Sequence, residues 1–188
     1  MDQPPVFTLD VLTDRQLLSD VLKGVLTTLF FHRLFNSLRP RTRDLLDLTL
    51  PTFDDAELEA SIDARLATLA RYLSVESAAA GERARLQVQF FEKRPRRAGW
   101  FGKAEEKVCW EEWRIEVEVV GWRSEAERAT VRERIEEQLH RTVLKIITTA
   151  SNEKSHVPPI TTNDANPFPY AIALAPKGET WGTRMGIF

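Results

Sequence analysis

The sequence predicts an α+β fold in which helices pack on an antiparallel sheet. Three segments repeat apolar residues every three or four positions, which is typical of helices with one buried face. Two other runs alternate apolar and polar residues, as half-buried strands do. Their apolar positions are Leu86, Val88 and Phe90 in the first run, and Trp113, Ile115, Val117 and Val119 in the second. Because the two runs are close along the chain, an antiparallel pair is the simplest arrangement for them.

The first part of the chain predicts a strand, a buried helix and a second strand. The first strand covers residues 7–11, where apolar and polar side chains alternate. Thr13 and Gln16 then form a capping box for a helix that is apolar over most of its surface and ends near Phe35. A second short strand is predicted over residues 46–50, ended by the proline that follows it.

Two further helices begin with the same capping pattern. Asp54 with Glu57 precedes one of them, and Ser124 with Glu127 precedes the other. Each helix carries one apolar stripe and is otherwise polar, so each is expected to pack on the sheet through that stripe. The stripes are Leu58, Ile62, Leu66, Leu69 and Leu73, and Val131, Ile135, Leu139, Val143 and Ile146.

The chain is expected to form a single domain over residues 1–188. Its content of 43% apolar and 29% charged residues is that of an ordinary globular protein. The region of about residues 151–188 is rich in proline, asparagine, serine and threonine, and is predicted to be irregular. Within it, residues 170–174 are predicted to add an edge strand.

Charge, cysteine and histidine content argue against several classes of function. With 26 basic and 28 acidic residues the net charge is -2, which argues against a domain that binds nucleic acid. Cys109 is the single cysteine, so no internal disulfide forms and a reducing compartment is favoured. Three histidines without zinc-site spacing predict no metal, and no cofactor is expected. The sequence shows no signal peptide and no apolar membrane span, which predicts a cytoplasmic protein.

Enzyme motifs are absent, so a non-catalytic protein is expected. The sequence contains neither a glycine-rich phosphate loop nor a nucleophile elbow. His32 is expected at the edge of the core, whereas His140 and His156 are expected in solvent. Adjacent carboxylates such as Glu111 and Glu112 point to opposite faces of a regular strand, so they are not expected to flank one substrate bond. The cysteine is expected to be a small apolar filler at the start of a strand.

A long connection between the two strongest strands is the most informative part of the sequence. It is predicted as a loop over about residues 94–108, longer than ordinary hairpin connections. Five basic residues against Glu92 give it a local charge near +4. Trp100 and Phe101 stand at its tip with a glycine on each side.

Three interpretations of this tip compete. The rings fold back and fill a gap in their own core, or the basic residues hold phosphates while the rings stack on bases or enter a membrane interface. In the third, the rings form an exposed finger that docks into a pocket of a protein partner, since tryptophan is enriched at binding hot spots.

These residues resemble the autophagy-related protein 101 family. The resemblance covers roughly residues 7–150, and a fungal member is expected. One departure is that animal members continue past the last strand with a further basic and apolar segment, whereas this sequence ends at Phe188. The resemblance rests on five segments: the run Phe90, Phe91, Glu92 and Lys93, the basic segment, the Trp100–Phe101 tip, the run Trp110, Glu111, Glu112 and Trp113, and the long charged helix after it.

The resemblance implies a HORMA domain, in which three helices pack against an antiparallel sheet, and a non-catalytic scaffold of the autophagy-initiation kinase complex. Members pair with the HORMA domain of autophagy-related protein 13 and stabilise it. The finger, carried over to Trp100 and Phe101, implies recruitment of downstream autophagy factors to the phagophore assembly site.

The resemblance does not give the residues of the pairing surface. The charge pattern favours the polar face of the last helix, including Arg128 and Arg132, with a plain solvated face as the alternative. An alternative function for the basic, aromatic loop is contact with an anionic membrane or nucleic acid, although the overall charge makes nucleic acid an unexpected partner.

Overall fold

The computed structural model describes residues 3–35, 39–76, 82–98, 102–161 and 166–175. Three helices and a mixed sheet within these ranges confirm the predicted α+β class, and the arrangement is consistent with a HORMA-like fold. The elements are β1 (Val6–Asp14), α1 (Leu18–Arg33), β2 (Pro40–Leu45), β3 (Leu48–Phe53), α2 (Ala56–Glu76), β4 (Glu82–Ala98), β5 (Gly102–Val120), α3 (Glu125–Asn152) and β6 (Tyr170–Ala175).

The main sheet has the strand order β1-β5-β4-β6, and β2 and β3 form a separate pair. β4 and β5 are antiparallel, as predicted, and β6 is the predicted edge strand, antiparallel to β4. β1 differs from the prediction because it runs parallel to β5, with Phe7 opposite Trp113, so the sheet is mixed. Both helices α1 and α2 intervene between the two strands, which gives the chain the length that a parallel crossover needs.

The core lies between one face of this sheet and the helices. α3 packs on β1, α1 packs between α2 and α3, and α2 reaches β6. The inward side chains of β5 from Trp113 to Val119 are buried, as are those of β4 from Ala84 to Phe90. The predicted stripes of α2 and α3 are buried against them, from Leu58 to Leu73 and from Val131 to Ile146.

The predicted capping box at Thr13 and Gln16 is wrong. Thr13 is buried at the end of β1, and α1 begins at Leu18. The carboxylate of Asp14 instead stabilises the turn that leads into the helix, because its Oδ1 accepts the backbone N–H groups of Gln16 at 2.7 Å and Leu17 at 2.8 Å. The N-cap of α1 is Leu17, which makes no side-chain capping bond.

The other two caps are close to prediction. α2 is capped by Asp55 and not by Asp54, since the Asp55 carboxylate accepts the N–H of Leu58 at 3.0 Å. The cap of α3 is confirmed: the Ser124 hydroxyl accepts the N–H of Glu127 at 3.2 Å. A short polar side chain at this position therefore fixes where each helix begins.

The segment before α2 is a hairpin, whereas the sequence predicted one strand ended by Pro51. Leu46 and Asp47 form the turn, and Leu46 has a φ of 55°, in the left-handed region that few apolar residues occupy. Pro51 lies within β3 opposite Thr42. A two-stranded sheet has only edge strands, so proline is tolerated there.

α1 approaches this hairpin closely at Gly24. A Cβ placed on Gly24 meets Leu50 Cδ1 at 2.7 Å and Leu45 Cδ2 at 3.1 Å. We expect Gly24→Leu to lower the free energy of unfolding by about 1–3 kcal/mol through overpacking, measured by urea denaturation. Leucine is a better helix former than glycine, so a loss cannot come from helix propensity.

The matched control for that change is Ala64→Leu on the exposed side of α2. This control is expected to change the free energy of unfolding by less than about 0.5 kcal/mol. A Gly24→Leu chain as stable as its parent would contradict the close approach of α1 to β2 and β3.

Candidate functional site

β4 and β5 continue far beyond the sheet as a two-stranded ribbon. β6 pairs with β4 only up to Phe90, and β1 pairs with β5 only from Glu112 onward. Beyond these points β4 and β5 still pair with each other, from Phe91 opposite Cys109 to Ala98 opposite Gly102. The loop predicted over about residues 94–108 is therefore, in its described residues, a continuation of the hairpin. We call residues 91–98 and 102–109 the ribbon.

The predicted finger residues Trp100 and Phe101 lie outside the described residues. Their neighbours fix where they attach, because Ala98 and Gly102 form the last pair of the ribbon. At about 3.3 Å per residue, the stretch from Phe90 to Ala98 spans roughly 26 Å. The described part of the ribbon therefore ends at Ala98 and Gly102, on its side farther from the sheet.

The ribbon carries charges of both signs. From Glu92 to Lys107 the sequence has six basic and three acidic residues, so the local charge is nearer +3 than the predicted +4. Arg94 makes an ion pair with Glu92 and stands opposite Glu106 in the ladder. Carboxylates among the basic groups repel phosphate, which disfavours a surface built to hold nucleic acid or anionic lipid.

A β-bulge marks the base of the ribbon. Phe90 pairs with Glu111 but Phe91 pairs with Cys109, so Trp110 is an extra residue in β5. In a regular strand Trp110 would lie on the opposite face from Trp113. The bulge instead places Trp110 near Phe90 and Phe168, at centroid distances of 5.7 Å and 5.2 Å. A bulge changes the alternation of side chains, so Trp110 and Glu111 both face the helices.

Glu111 is fully buried at this base and receives three donors. Arg33 Nε lies 2.8 Å from its Oε1, and the indole N–H of Trp113 donates to the same oxygen. Nε2 of His156 lies 2.7 Å from Oε2. The Arg33 side chain is only 2% exposed and the Glu111 side chain is 0% exposed, so this is a buried ion pair. Such a pair needs further hydrogen bonds to offset the desolvation of both charges.

Arg33 also closes the end of α3. Its Nη1 donates to the carbonyl of Ala150 at 3.0 Å, and its Nη2 donates to that of Glu153 at 3.0 Å. These carbonyls lie at the helix end, where four acceptors lack intrahelical partners. One guanidinium therefore connects α1, α3 and the buried carboxylate on β5.

This cluster was not predicted from the sequence, and the expectation for His156 was wrong. His156 was expected in solvent, but its side chain is 18% exposed and its ring lies 6.0 Å from Phe7 and 5.8 Å from Trp110. Arg33 at the end of a mostly apolar helix was the available signal. An arginine there needs a buried acceptor, and Glu111 supplies it.

The remaining ionisable candidates give no basis for catalysis. Burial raises the pKa of Cys109 to about 11, so its thiol stays protonated and is a poor nucleophile. His32 is half-buried, as expected, and its pKa is lowered by burial and by the nearby Arg33 charge. His140 is exposed, as expected. The residues that the structure describes contain no group of histidine, cysteine and carboxylate side chains able to hold a metal ion.

Arg128 and Arg132 lie one turn apart near the start of α3, and they differ in their contacts with other side chains. Arg128 donates to Glu125 at 3.1 Å and Gln16 at 3.3 Å, and its guanidinium lies 5.5 Å from the centre of the Trp122 ring. Arg132 is exposed. Arg128 is therefore partly used in holding α3 against the start of α1, whereas Arg132 projects from the surface.

Glu136, a turn further along α3, accepts the backbone N–H of Asp47 in the β2–β3 turn at 2.8 Å. Arg128, Arg132 and Glu136 follow one another at intervals of four residues, so they share one side of the helix. We call this side the α3 flank. Arg141 lies on another side of α3, where it pairs with Glu137.

None of the helices in the described ranges has the length and apolarity needed to cross a bilayer. Among the described residues, the ribbon and the α3 flank are the candidate functional surfaces considered below. They are suited to contacts with other macromolecules, since they combine exposed charge with a long projecting element.

Comparison with known proteins gives the family of this chain. The family model of autophagy-related protein 101 matches residues 10–164. A curated relative of that name from Schizosaccharomyces pombe is 27% identical over 168 residues, covering 89% of this chain and 85% of the relative. Another from Arabidopsis thaliana is 26% identical over 183 residues, covering 86% and 82%. The matched region contains the ribbon, the buried cluster and all three helices, and the chain belongs to the autophagy-related protein 101 family.

Proposed function

We propose that this protein is a non-catalytic scaffold of the autophagy-initiation kinase complex. In this proposal it pairs with the HORMA domain of autophagy-related protein 13, stabilises that partner, and recruits downstream autophagy factors through Trp100 and Phe101. It acts in the cytoplasm and at the phagophore assembly site. Membership of the autophagy-related protein 101 family supports an autophagy-related role.

The observation that carries the recruitment proposal is the ribbon. Its last described pair, Ala98 with Gly102, is separated from the sheet by a stretch of two strands without lateral neighbours among the described residues. None of the ribbon side chains that the structure describes is buried in the core between sheet and helices. This geometry favours docking of the two rings into a partner over packing in the protein's own core. The mixed charge of the ribbon favours a protein partner over an anionic membrane.

The test is affinity purification of the tagged protein from starved cells, followed by identification of the associated chains. A HORMA-domain protein and kinase subunits are expected to co-purify in near-stoichiometric amounts. Recovery of the protein without any such chain, from cells that express them, would overturn the proposal.

The pairing surface gives a second measurement. We propose that the α3 flank belongs to it, because Arg132 is exposed between two residues that already bridge neighbouring elements. Arg132→Glu is expected to raise the dissociation constant for the HORMA partner at least about tenfold, since misplaced charge at an interface is costly. Isothermal titration calorimetry with purified partner measures this.

Arg141→Glu is the matched control, because Arg141 is an exposed arginine on another side of the same helix, with 67% of its side chain exposed. It is expected to leave the dissociation constant unchanged. Equal binding by both variants would remove the α3 flank from the interface. Arg128 is a poorer probe because its reversal also breaks contacts to Gln16 and Trp122.

A further inference from the structure

The ribbon depends on its base for a fixed direction. An isolated two-stranded hairpin is only marginally stable in water, and beyond Phe90 and Glu112 the described strands β6 and β1 no longer flank it. The bulge at Trp110 lies at the point where the ribbon leaves the sheet. Bulges bend a strand and increase its twist, so the contacts of the bulged residues decide where the ribbon points.

Residues 153–161 and 166–169, which we call the C-terminal segment, supply many of these contacts. His156 Nε2 lies 2.7 Å from Glu111 Oε2. Phe168 packs edge-on against Trp110 at a centroid distance of 5.2 Å. The backbone N–H of Phe91, the first ribbon residue of β4, donates to the carbonyl of Pro169 at 2.8 Å. The segment therefore touches both strands of the ribbon at its base.

The carboxylate of Glu111 fixes these contacts in one arrangement. Arg33 holds it from the α1 side, and the same guanidinium donates to Glu153, the first residue of the C-terminal segment. A carboxylate held by a buried arginine has little freedom to follow His156 if the segment moves away. Loss of the His156 bond would leave Oε2 of Glu111 with Arg33 Nε, at 3.0 Å, as its remaining donor among the described residues. It would also remove the ring contact between His156 and Trp110.

We infer that Glu111 is a positioning residue that couples docking of the C-terminal segment to the direction of the ribbon. When the segment is docked, Phe168 packs on Trp110, His156 bonds to Glu111, and the ribbon is held at one angle to the sheet. When the segment is displaced, the base loosens and the ribbon loses its fixed direction. The importance of this coupling for recruitment rests on the proposed function, but the coupling itself is measurable without any partner.

Hydrogen–deuterium exchange of the full chain carrying His156→Leu tests the inference. Leucine keeps apolar bulk between Phe7 and Trp110 but removes the donor, and the Arg33–Glu111 pair remains. We expect amides of residues 91–94 and 105–110 to exchange at least about tenfold faster than in the parent. Amides of residues 84–88 and 113–119, within the sheet, are expected to keep their rates.

His140→Leu is the matched control, because it makes the same change at an exposed position on α3, and its rates should equal those of the parent. His156→Gln retains an N–H donor and is expected to restore most of the protection. If His156→Leu fails to fold, Phe168→Leu is examined instead, since it weakens the Trp110 contact and leaves the bonds of Glu111; the same local pattern is expected.

Two results overturn the inference. In one, residues 153–161 exchange faster while the ribbon keeps its rates, which shows that segment and ribbon are independent. In the other, every amide accelerates by the same factor, which shows a general loss of stability and not a loss of ribbon position. Neither result bears on whether Trp100 and Phe101 recruit a partner, so the proposed function can survive either.

Discussion

A chain in which Trp100 and Phe101 are both replaced by alanine is expected to fold normally and to lose the recruitment of downstream autophagy factors. Burial of two large rings in a partner supplies roughly 3–6 kcal/mol before the cost of ordering the tip is subtracted. Their removal should therefore weaken binding by about a hundredfold or more. Quantitative affinity purification from starved cells measures the loss, and autophagic flux in the same cells measures its consequence.

The stability of the same variant decides between recruitment and core packing. Its free energy of unfolding in urea is expected to lie within about 0.5 kcal/mol of that of the parent, as for surface substitutions. A drop of about 3–5 kcal/mol, typical of ring removal from a core, would show that the rings fill their own core and would end the recruitment proposal. Phe30→Ala provides the core reference, because Phe30 is 0% exposed in α1.

A further variant separates protein docking from attraction to an anionic surface. Arg96→Ala combined with Arg97→Ala removes ribbon charge and leaves the rings. Under the recruitment proposal this chain retains most of its binding to downstream factors. Loss of binding that can be reproduced in the parent by raising the salt concentration would favour the anionic surface instead, because such attraction is strongly screened.

The sheet was predictable where one of its faces is buried. Leu86, Val88 and Phe90 alternate with polar residues because their side chains pack under the helices, and that pattern is visible in the sequence. The ribbon lacks such a pattern because none of its side chains that the structure describes is fully buried. Its charged residues and Pro95 favour a loop on local grounds, yet the ladder pairs Pro95 with Glu105. Strand pairing that continues outward from a strong hairpin is therefore poorly predicted by amino-acid composition.

The buried cluster was hidden for a different reason. The alternation of a regular strand sends Trp110 and Trp113 to opposite faces, and a single extra residue in β5 reverses that assignment. A bulge depends on both of the paired strands, so the sequence of one strand alone does not predict it. The contact between His156 and Glu111 could not be predicted from local sequence either, since 45 residues separate them along the chain. The parallel pairing of β1 is likewise a property of the crossover and not of β1 itself.

Glu111→Ala is expected to be the most destabilising single change outside the apolar core. It removes the carboxylate that pairs with Arg33 and leaves this arginine only the carbonyls of Ala150 and Glu153 as acceptors among the described residues. The Arg33 side chain is 2% exposed and cannot regain water without opening the structure. Breaking a buried ion pair on one side costs about 3–5 kcal/mol, because the remaining charge is left without compensation. Trp113 and His156 lose an acceptor as well. Equilibrium unfolding in urea measures the loss.

Glu116→Ala is the matched control, because Glu116 lies on the same strand and pairs with Arg85 at 2.6 Å, but with 38% of its side chain exposed. Its loss is expected to be at most about 1 kcal/mol, as for exposed ion pairs.

A double-mutant cycle then isolates the buried pair. Arg33→Met removes the charge that Glu111→Ala leaves uncompensated, so the double variant should be more stable than the sum of the two single losses implies, by about 1–3 kcal/mol. Strict additivity would mean that the two side chains do not interact across the core. Losses of equal size for Glu111→Ala and Glu116→Ala would contradict the burial of the pair. If the coupling is found, the charge on Glu111 stabilises the fold only together with Arg33, and the base of the ribbon depends on two helices and a strand that are distant in sequence.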